Sequence, residues 1–183
     1  MRNLICGLAL IAGAGPALAT GLEIDVAGGA SGTVVIDLFE DAAPEHVEQV
    51  AALAESGAYN GVVFHRVIDG FMAQTGDVQY GRAGGDLSLA GTGGSDRADL
   101  PAEFSDRPFG RGTVGMARAA DPNSANSQFF IMFAPAPHLD GQYTVIGEVT
   151  DGMDVIDAIK RGEGGSGAVS DSPDIMEAVR VTE

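Results

Sequence analysis

Apolar and polar residues alternate along several short stretches of the chain, a pattern typical of β-strands with one buried face. The first two stretches, at residues 22–26 and 34–39, flank the Gly28-Gly29 pair and predict a β-hairpin. Turn-forming residues bound the later stretches, as expected for short strands joined by loops. We expect about eight strands in total, with the later ones at residues 62–68, 112–118, 127–133, 143–149 and 175–181.

Two other segments show the spacing of amphipathic helices. The first begins at Pro44, which tolerates the missing N–H of a first helical position, and ends before Gly57. The second is predicted from Asp154 to Lys160. Because strands lie at both ends of the chain beyond residue 19, we expect the sheet to close on itself, which removes exposed edges.

The N-terminal segment has the pattern of a secretory signal peptide. Leu4 to Ala14 form an apolar run that is too short to span a bilayer comfortably. Ala17-Leu18-Ala19 follows with the small-x-small form of a cleavage site. We therefore expect residues 1–19 to be removed, residues 20–183 to form a single domain, and the product to be exported without any membrane-inserted segment.

Composition limits the classes of partner. The 183-residue chain carries a formal net charge of -16, so nucleic acid and anionic membrane surfaces are not expected to bind it. The 27 glycines favour a β-rich fold with many turns. Cys6, the only cysteine, lies in the predicted signal peptide. The mature chain is therefore expected to have no disulfide and no thiolate metal site.

One stretch, Phe64 to Gln74, combines a single fixed cation with an apolar pair. Arg66 lies in a predicted strand, and the Phe71-Met72 pair follows a turn at Gly70. A guanidinium stays charged and offers five donors, while Phe and Met provide an adaptable apolar surface. This combination suits a neutral ligand with one apolar ring and one polar amide. The alternative is a solvated arginine beside ordinary core residues.

Several motifs, taken together, resemble the cyclophilins. Phe64-His65-Arg66 is followed by Gly70 to Asp77, then by Gly115 to Arg118, Asn126 to Ile131 and Leu139-Asp140-Gly141. Their order and spacing match the family over residues 22–182. The resemblance implies a closed eight-stranded antiparallel β-barrel capped by two α-helices. It also implies peptidyl-prolyl cis-trans isomerase activity on unfolded, proline-containing polypeptides, with no cofactor or metal.

The resemblance further implies roles for individual residues. Arg66 would be the catalytic residue beside the substrate amide. The proline pocket would be formed by Phe71, Met72, Phe130, Leu139 and Tyr143. The peptide would be bound by Gln74, Ala117, Arg118, Gln128 and His138. Because the expected mature form is exported and free of cysteine, it resembles the bacterial periplasmic branch, and we expect a periplasmic monomer.

The chain departs from the family pattern at a few positions. His138 lies where cyclosporin-sensitive members have Trp, which leaves cyclosporin affinity open. Arg118 replaces the usual Asn, although the family uses the backbone there. Tyr143 lies where many members have His. The turn at residues 120–122 is one residue longer than usual.

Two other functions remain open from the sequence. The first is a non-catalytic chaperone or assembly module that holds proline-containing segments on the same barrel. The second is a hydrolase that would use His65 or His138 with Ser127 and an aspartate, although Ser127 lacks the pattern of a nucleophile elbow.

Overall fold

The computed structural model describes residues 20–183, so the predicted signal peptide lies outside the described residues. Nine strands and two α-helices are present in this range. The helices are α1, Pro44–Glu55, and α2, Met153–Ala158. The strands are β1 (Gly21–Ala27), β2 (Gly32–Leu38), β3 (Val62–Val63), β4 (Arg66–Ile68), β5 (Met72–Thr75), β6 (Thr113–Met116), β7 (Phe129–Met132), β8 (Val145–Asp151) and β9 (Ile175–Thr182).

All nine strands belong to one curled antiparallel sheet in the order β3-β9-β1-β2-β8-β6-β7-β5-β4. The mainly-β prediction with two helices is therefore confirmed. The closed eight-stranded description differs in detail, since there are nine strands and no strand pairing joins β3 to β4 within residues 20–183. These two outermost strands are instead consecutive in the chain, so the segment 62–68 connects the two edges of the sheet.

The single strand predicted at residues 62–68 is wrong because its two halves pair with different neighbours. β3 pairs with β9, whereas β4 pairs with β5. Between them, the Phe64 N–H donates to the Asp174 carbonyl, and the His65 carbonyl accepts the Val169 N–H. Simple alternation fails as a result: Val62, Val63 and Phe64 are all buried.

The two faces of the sheet carry two apolar clusters. The larger cluster fills the curl of the sheet and includes Ile36, Ala73, Val114 and Ile131. The smaller cluster lies on the opposite side of the same strands. Its buried members are Met72, Phe109, Phe130, Met132, Ala136, Leu139 and Val145. The period-two alternation of β5 and β7 thus sends Ala73 and Ile131 into the larger cluster, and Met72 and Phe130 to the smaller one.

Helix α1 begins at a residue without a side-chain cap of its own. Ala43 precedes it, and the carboxylate of Glu103 accepts the backbone N–H groups of Glu45 at 3.3 Å and His46 at 3.1 Å. The same carboxylate lies 2.6 Å from Nδ1 of His46. A carboxylate in this position satisfies free N–H groups and interacts favourably with the helix dipole. Glu103 therefore ties the loop before β6 to α1.

Candidate active site

Four strands contribute to one row of directly opposed residues. Arg66 on β4 faces Gln74 on β5, Gln74 faces Phe130 on β7, and Phe130 faces Gly115 on β6. Opposed residues in an antiparallel sheet project from the same face. Pairing therefore places the cation, the amide and the aromatic ring side by side, with a glycine beneath the ring.

The guanidinium of Arg66 is held by two hydrogen bonds. Nη1 donates to Oε1 of Gln74 at 3.1 Å, and Nε donates to the carbonyl oxygen of Ser166 at 3.0 Å. Nη1 also lies 3.9 Å from Sδ of Met72. Both hydrogen-bond acceptors are neutral, and no carboxylate within residues 20–183 forms a salt bridge with Arg66. The full positive charge, with Nη2 as a donor, therefore remains for a bound molecule.

A chain of side-chain amides extends from Arg66. Nε2 of Gln74 donates to Oε1 of Gln128 at 2.9 Å, and Nε2 of Gln128 donates to the Gly93 carbonyl at 2.8 Å. Because each amide both accepts and donates, the orientation of one fixes the next. The position of the guanidinium is thus linked to the loop that carries Gly93.

An apolar pocket of about 180 Å³ lies directly beside this guanidinium. The ring of Phe130 meets Tyr143 edge-to-face at 5.8 Å and stacks on Phe109 at 5.7 Å, which fixes one wall. A volume of this size accommodates a single small ring rather than a whole ligand. The pocket is lined by Arg66, Phe71, Met72, Gln74, Ala117, Arg118, Phe130, Leu139 and Tyr143.

The structure thus brings nine of the eleven predicted site residues to one pocket. Gln128 lies behind Gln74 and lines a neighbouring pocket of about 400 Å³. His138 does not line either pocket; it is exposed and stacks on the outer side of Phe71 at 5.9 Å. His138 is therefore placed to support the Phe71 ring from outside rather than to contact a peptide bound in the pocket.

Other supporting residues could not be identified from the sequence. Ser166, whose carbonyl holds Arg66, comes from a loop a hundred residues away, and Phe109 lies behind Phe130 without any motif of its own.

Asp77 is fully buried, and its two carboxylate oxygens accept four backbone N–H groups. These come from Gln79, Tyr80, Gly91 and Gly93 at 2.7–3.1 Å. Asp77 thereby fixes the conformation of the loop that borders the neighbouring pocket of about 400 Å³.

His65, next to Arg66, is only 5% exposed, and neither ring nitrogen has a hydrogen-bond partner within the described part of the chain. Burial lowers the pKa of His65, the charge of Asp77 opposes this shift, and the charge of Arg66 adds to it. The ring packs so closely under the loop that a Cβ on Gly91 would lie 3.1 Å from its Cδ2.

The hydrolase alternative requires an accessible nucleophile. Ser127 is fully buried, and its hydroxyl donates to the Gly76 carbonyl at 2.8 Å. His138 stacks on the outer side of Phe71 and does not line the pocket of about 180 Å³, and His65 makes no hydrogen bond to Ser127. Ser127 therefore does not form a nucleophile–base pair with His65 or His138.

Comparison with known proteins identifies the family. The model for cyclophilin type peptidyl-prolyl cis-trans isomerases matches residues 22–182. The chain belongs to the cyclophilin family. This cyclophilin is 59% identical over 150 residues to a probable peptidyl-prolyl cis-trans isomerase of Brucella suis, a match that covers 80% of this chain and 76% of the relative. It is 40% identical over 135 residues to a peptidyl-prolyl cis-trans isomerase of Helicobacter pylori, covering 72% and 77% of the two chains.

The fold of this cyclophilin also matches solved structures. A cyclophilin type peptidyl-prolyl cis-trans isomerase of Cryptosporidium parvum, crystallised in the presence of the dipeptide Ala-Pro, superposes with a TM-score of 0.75. The two chains are 27% identical, and the match covers 89% of this chain and 99% of the other. The resemblance inferred from the motifs is therefore confirmed at the level of both sequence family and fold.

Proposed function

We propose that this cyclophilin catalyses the cis-trans isomerisation of X–Pro peptide bonds, with Arg66 as the catalytic residue. The observation that carries the proposal is the guanidinium of Arg66, held at the rim of an apolar pocket of about 180 Å³. The pocket accepts a five-membered ring, and the cation lies where the amide beside that ring would be bound.

The chemistry follows from the electronic structure of the amide. Resonance gives the X–Pro bond a rotational barrier of roughly 20 kcal/mol and an uncatalysed isomerisation time of tens to hundreds of seconds. In the twisted transition state, resonance is lost and the proline nitrogen regains a lone pair. A donor that reaches this nitrogen therefore binds the transition state more strongly than the planar amide, as catalysis requires. Arg66 is such a donor, and it needs no change of protonation.

The apolar pocket contributes a second effect. A charge-assisted hydrogen bond contributes about 1.5–3 kcal/mol, and each ~1.4 kcal/mol is tenfold in rate, so Arg66 alone accounts for only part of a large acceleration. The planar amide separates charge more than the twisted one. An apolar environment formed by Phe71, Met72 and Phe130 therefore disfavours the ground state. The same side chains would hold the proline ring while the preceding residue rotates.

A proline-peptide exchange assay tests this proposal. We expect the protein to accelerate cis-trans exchange of an X–Pro oligopeptide, as measured by NMR line shape or by protease-coupled hydrolysis. The alternative, a module that binds proline-containing segments without catalysis, would shift peptide resonances but leave the exchange rate unchanged. The intact aligned row of Arg66, Gln74 and Phe130 favours catalysis over simple binding.

We further propose that the substrates are unfolded exported polypeptides and that the protein acts as a monomer in the periplasm after cleavage behind Ala19. The structure of the first described residues supports this cleavage site, because Thr20 and Gly21 are already part of the folded domain. The Leu38 N–H donates to the Thr20 carbonyl, and Gly21 pairs with Asp37 and Thr182. No helix in residues 20–183 has the length and hydropathy of a membrane span. Intact mass of the protein purified from its host should give Thr20 as the first residue.

A further inference from the structure

Two arginines at the site have no acidic partner, although the protein is strongly acidic. The chain has a formal net charge of -16. Five of the cations described by the structure are in salt bridges with carboxylates, namely Arg107, Arg111, Lys160, Arg161 and Arg180. Arg66 and Arg118 form no such pair, and neither do Arg82 and Arg97, which line a separate pocket. Because the two pockets at the site are lined by Arg66 and Arg118 and by no carboxylate, the substrate groove is a local positive region on an acidic protein.

Arg118 lies between the proline-sized pocket and the larger pocket of about 400 Å³ and lines both. Nη1 donates to the Ala119 carbonyl and Nη2 to the Gln142 carbonyl, each at 2.9 Å. The guanidinium also stacks over the ring of Tyr143, at 4.4 Å from the ring centroid. These contacts fix its position on the rim. Because carbonyls and an aromatic ring carry no net charge, the positive charge of Arg118 is not neutralised.

The larger pocket contains no competing carboxylate. Its lining includes no Asp or Glu, and its polar groups include the hydroxyl side chains of Thr92 and Ser124. The acidic residue nearest in sequence is Asp121, whose carboxylate accepts the Asn123 N–H within its own turn. The carboxylate of Asp140, two residues before Gln142, accepts the Phe109 N–H. An incoming carboxylate would thus meet Arg118 without repulsion from the pocket walls.

The two pockets share Gln74, Ala117 and Arg118, so a peptide with its proline in the smaller pocket brings a nearby side chain to the larger one. Consecutive residues are 3.8 Å apart, which limits this side chain to one within about two positions of the proline. We propose that Arg118 is a specificity-determining residue, which makes this cyclophilin prefer X–Pro segments with an Asp or Glu beside the proline. The inference rests on the proposed isomerase function and adds to it a class of substrate.

The test uses matched peptide pairs that differ only by Glu or Gln, placed one residue before, two residues before or one residue after the proline. We expect kcat/KM of the wild-type protein to favour Glu over Gln at one or more of these positions by about three- to fivefold at low ionic strength, as for a partly exposed ion pair. Because such a pair is screened, the preference should fall in about 0.5 M salt.

Variants separate the charge of Arg118 from the net charge of the protein. In Arg118→Gln the Glu/Gln ratio should fall to about one, whatever happens to the rate on the Gln peptide. Arg118→Lys keeps the charge and should retain part of the preference, which covers the case in which Arg118→Gln does not fold. Arg180→Gln removes the same charge on β9, away from both pockets, and should keep the wild-type ratio.

The outcomes are distinguishable. Acceleration of all peptides with no Glu preference in the wild-type protein would overturn this inference and leave the isomerase proposal standing. A preference that survives in Arg118→Gln would also overturn it. Absence of acceleration with every peptide would overturn the isomerase proposal, and the substrate preference with it.

Discussion

Arg66 and Gln74 face each other across the β4–β5 pair, and Nη1 of Arg66 donates a 3.1 Å hydrogen bond to Oε1 of Gln74. Gly70 makes this geometry possible, because the turn between the two strands places it at a φ of 68°, a conformation that other residues adopt only with strain. A short hairpin therefore sets the cation against an amide whose other end is held by Gln128.

Removing the cation should lower activity without unfolding the protein. We expect Arg66→Ala to reduce turnover on a proline peptide by at least about tenfold, since a charge-assisted hydrogen bond to the transition state is lost. Arg66→Lys keeps the charge but loses the guanidinium that donates to Gln74 and to the Ser166 carbonyl. Its activity should therefore lie between those of the wild-type protein and Arg66→Ala. NMR exchange measures turnover, and circular dichroism checks the fold. Unchanged turnover in Arg66→Ala would remove Arg66 from the mechanism.

Gly115 should be required for the shape of the proline-sized pocket. A Cβ at this position would lie 2.6 Å from Cε1 of Phe109 and 2.7 Å from Cζ of Phe130, distances that force the rings to move. We expect Gly115→Ala to displace Phe130 and raise KM for a proline peptide several-fold, with a stability loss of about 1–3 kcal/mol from overpacking.

The control for this prediction is Gly141→Ala. That Cβ meets nothing within 4 Å, so any loss of stability there comes from its φ of 66° rather than from a clash. If Gly115→Ala binds peptide as tightly as the wild-type protein, the stacked pair of Phe109 and Phe130 does not form a rigid wall of the pocket.

How far the sequence predicts this molecule depends on whether the information is local. The alternation in β1, β2 and β9 is sufficient to predict those strands, because each has one face in the core. The segment 62–68 does not follow this alternation, because burial of Val62, Val63 and Phe64 follows from pairing with β9 and from contact with Asp174. That pairing depends on residues more than a hundred positions away and leaves no periodic signal.

The same distinction between local and distant information applies to the candidate active site. The pocket residues lie in recognisable motifs, so the nine that converge could be proposed together. The Ser166 carbonyl and the Phe109 ring hold that arrangement from outside the motifs, and a backbone carbonyl has no sequence signature at all. The role proposed above for Arg118 also required coordinates, because a lone arginine in a sequence does not reveal whether a carboxylate neutralises it.

Asp77 should be essential for the loop that borders the larger pocket. One of its carboxylate oxygens accepts the N–H groups of Gln79 and Tyr80, and the other accepts those of Gly91 and Gly93. In Asp77→Asn the amide nitrogen would replace one oxygen and face two N–H donors. We expect a loss of about 2–4 kcal/mol in the free energy of unfolding, because buried donors are left unsatisfied. Denaturant unfolding measures this change.

The matched control for Asp77 is Asp171→Asn, where the side chain is 89% exposed and its carboxylate contacts only the exposed side chains of Lys160 and Ser172. Its unfolding midpoint should stay close to that of the wild-type protein. Because the Gly93 carbonyl holds Gln128, Asp77→Asn should also raise KM. Equal midpoints for the two variants would contradict the role assigned to Asp77.

His65 should make the stability of the fold depend on pH in the mildly acidic range. Burial lowers the pKa of this imidazole in the folded protein, so below the ordinary value of about 6.5 the unfolded chain binds a proton that the folded chain resists. The free energy of unfolding should therefore have its full value above about pH 6.5. It should decrease as the pH falls below this value, by at most about 1.4 kcal/mol per pH unit for one proton.

Denaturant unfolding between about pH 7.5 and 5 measures this slope. His65→Gln removes the titrating group and should flatten the curve, whereas the exposed His138→Gln should retain the wild-type slope. Because the His65 ring is packed against Gly91, amide exchange of the loop that carries Gly91 should also increase at low pH. A His65→Gln curve as steep as that of the wild-type protein would assign the acid sensitivity to other groups.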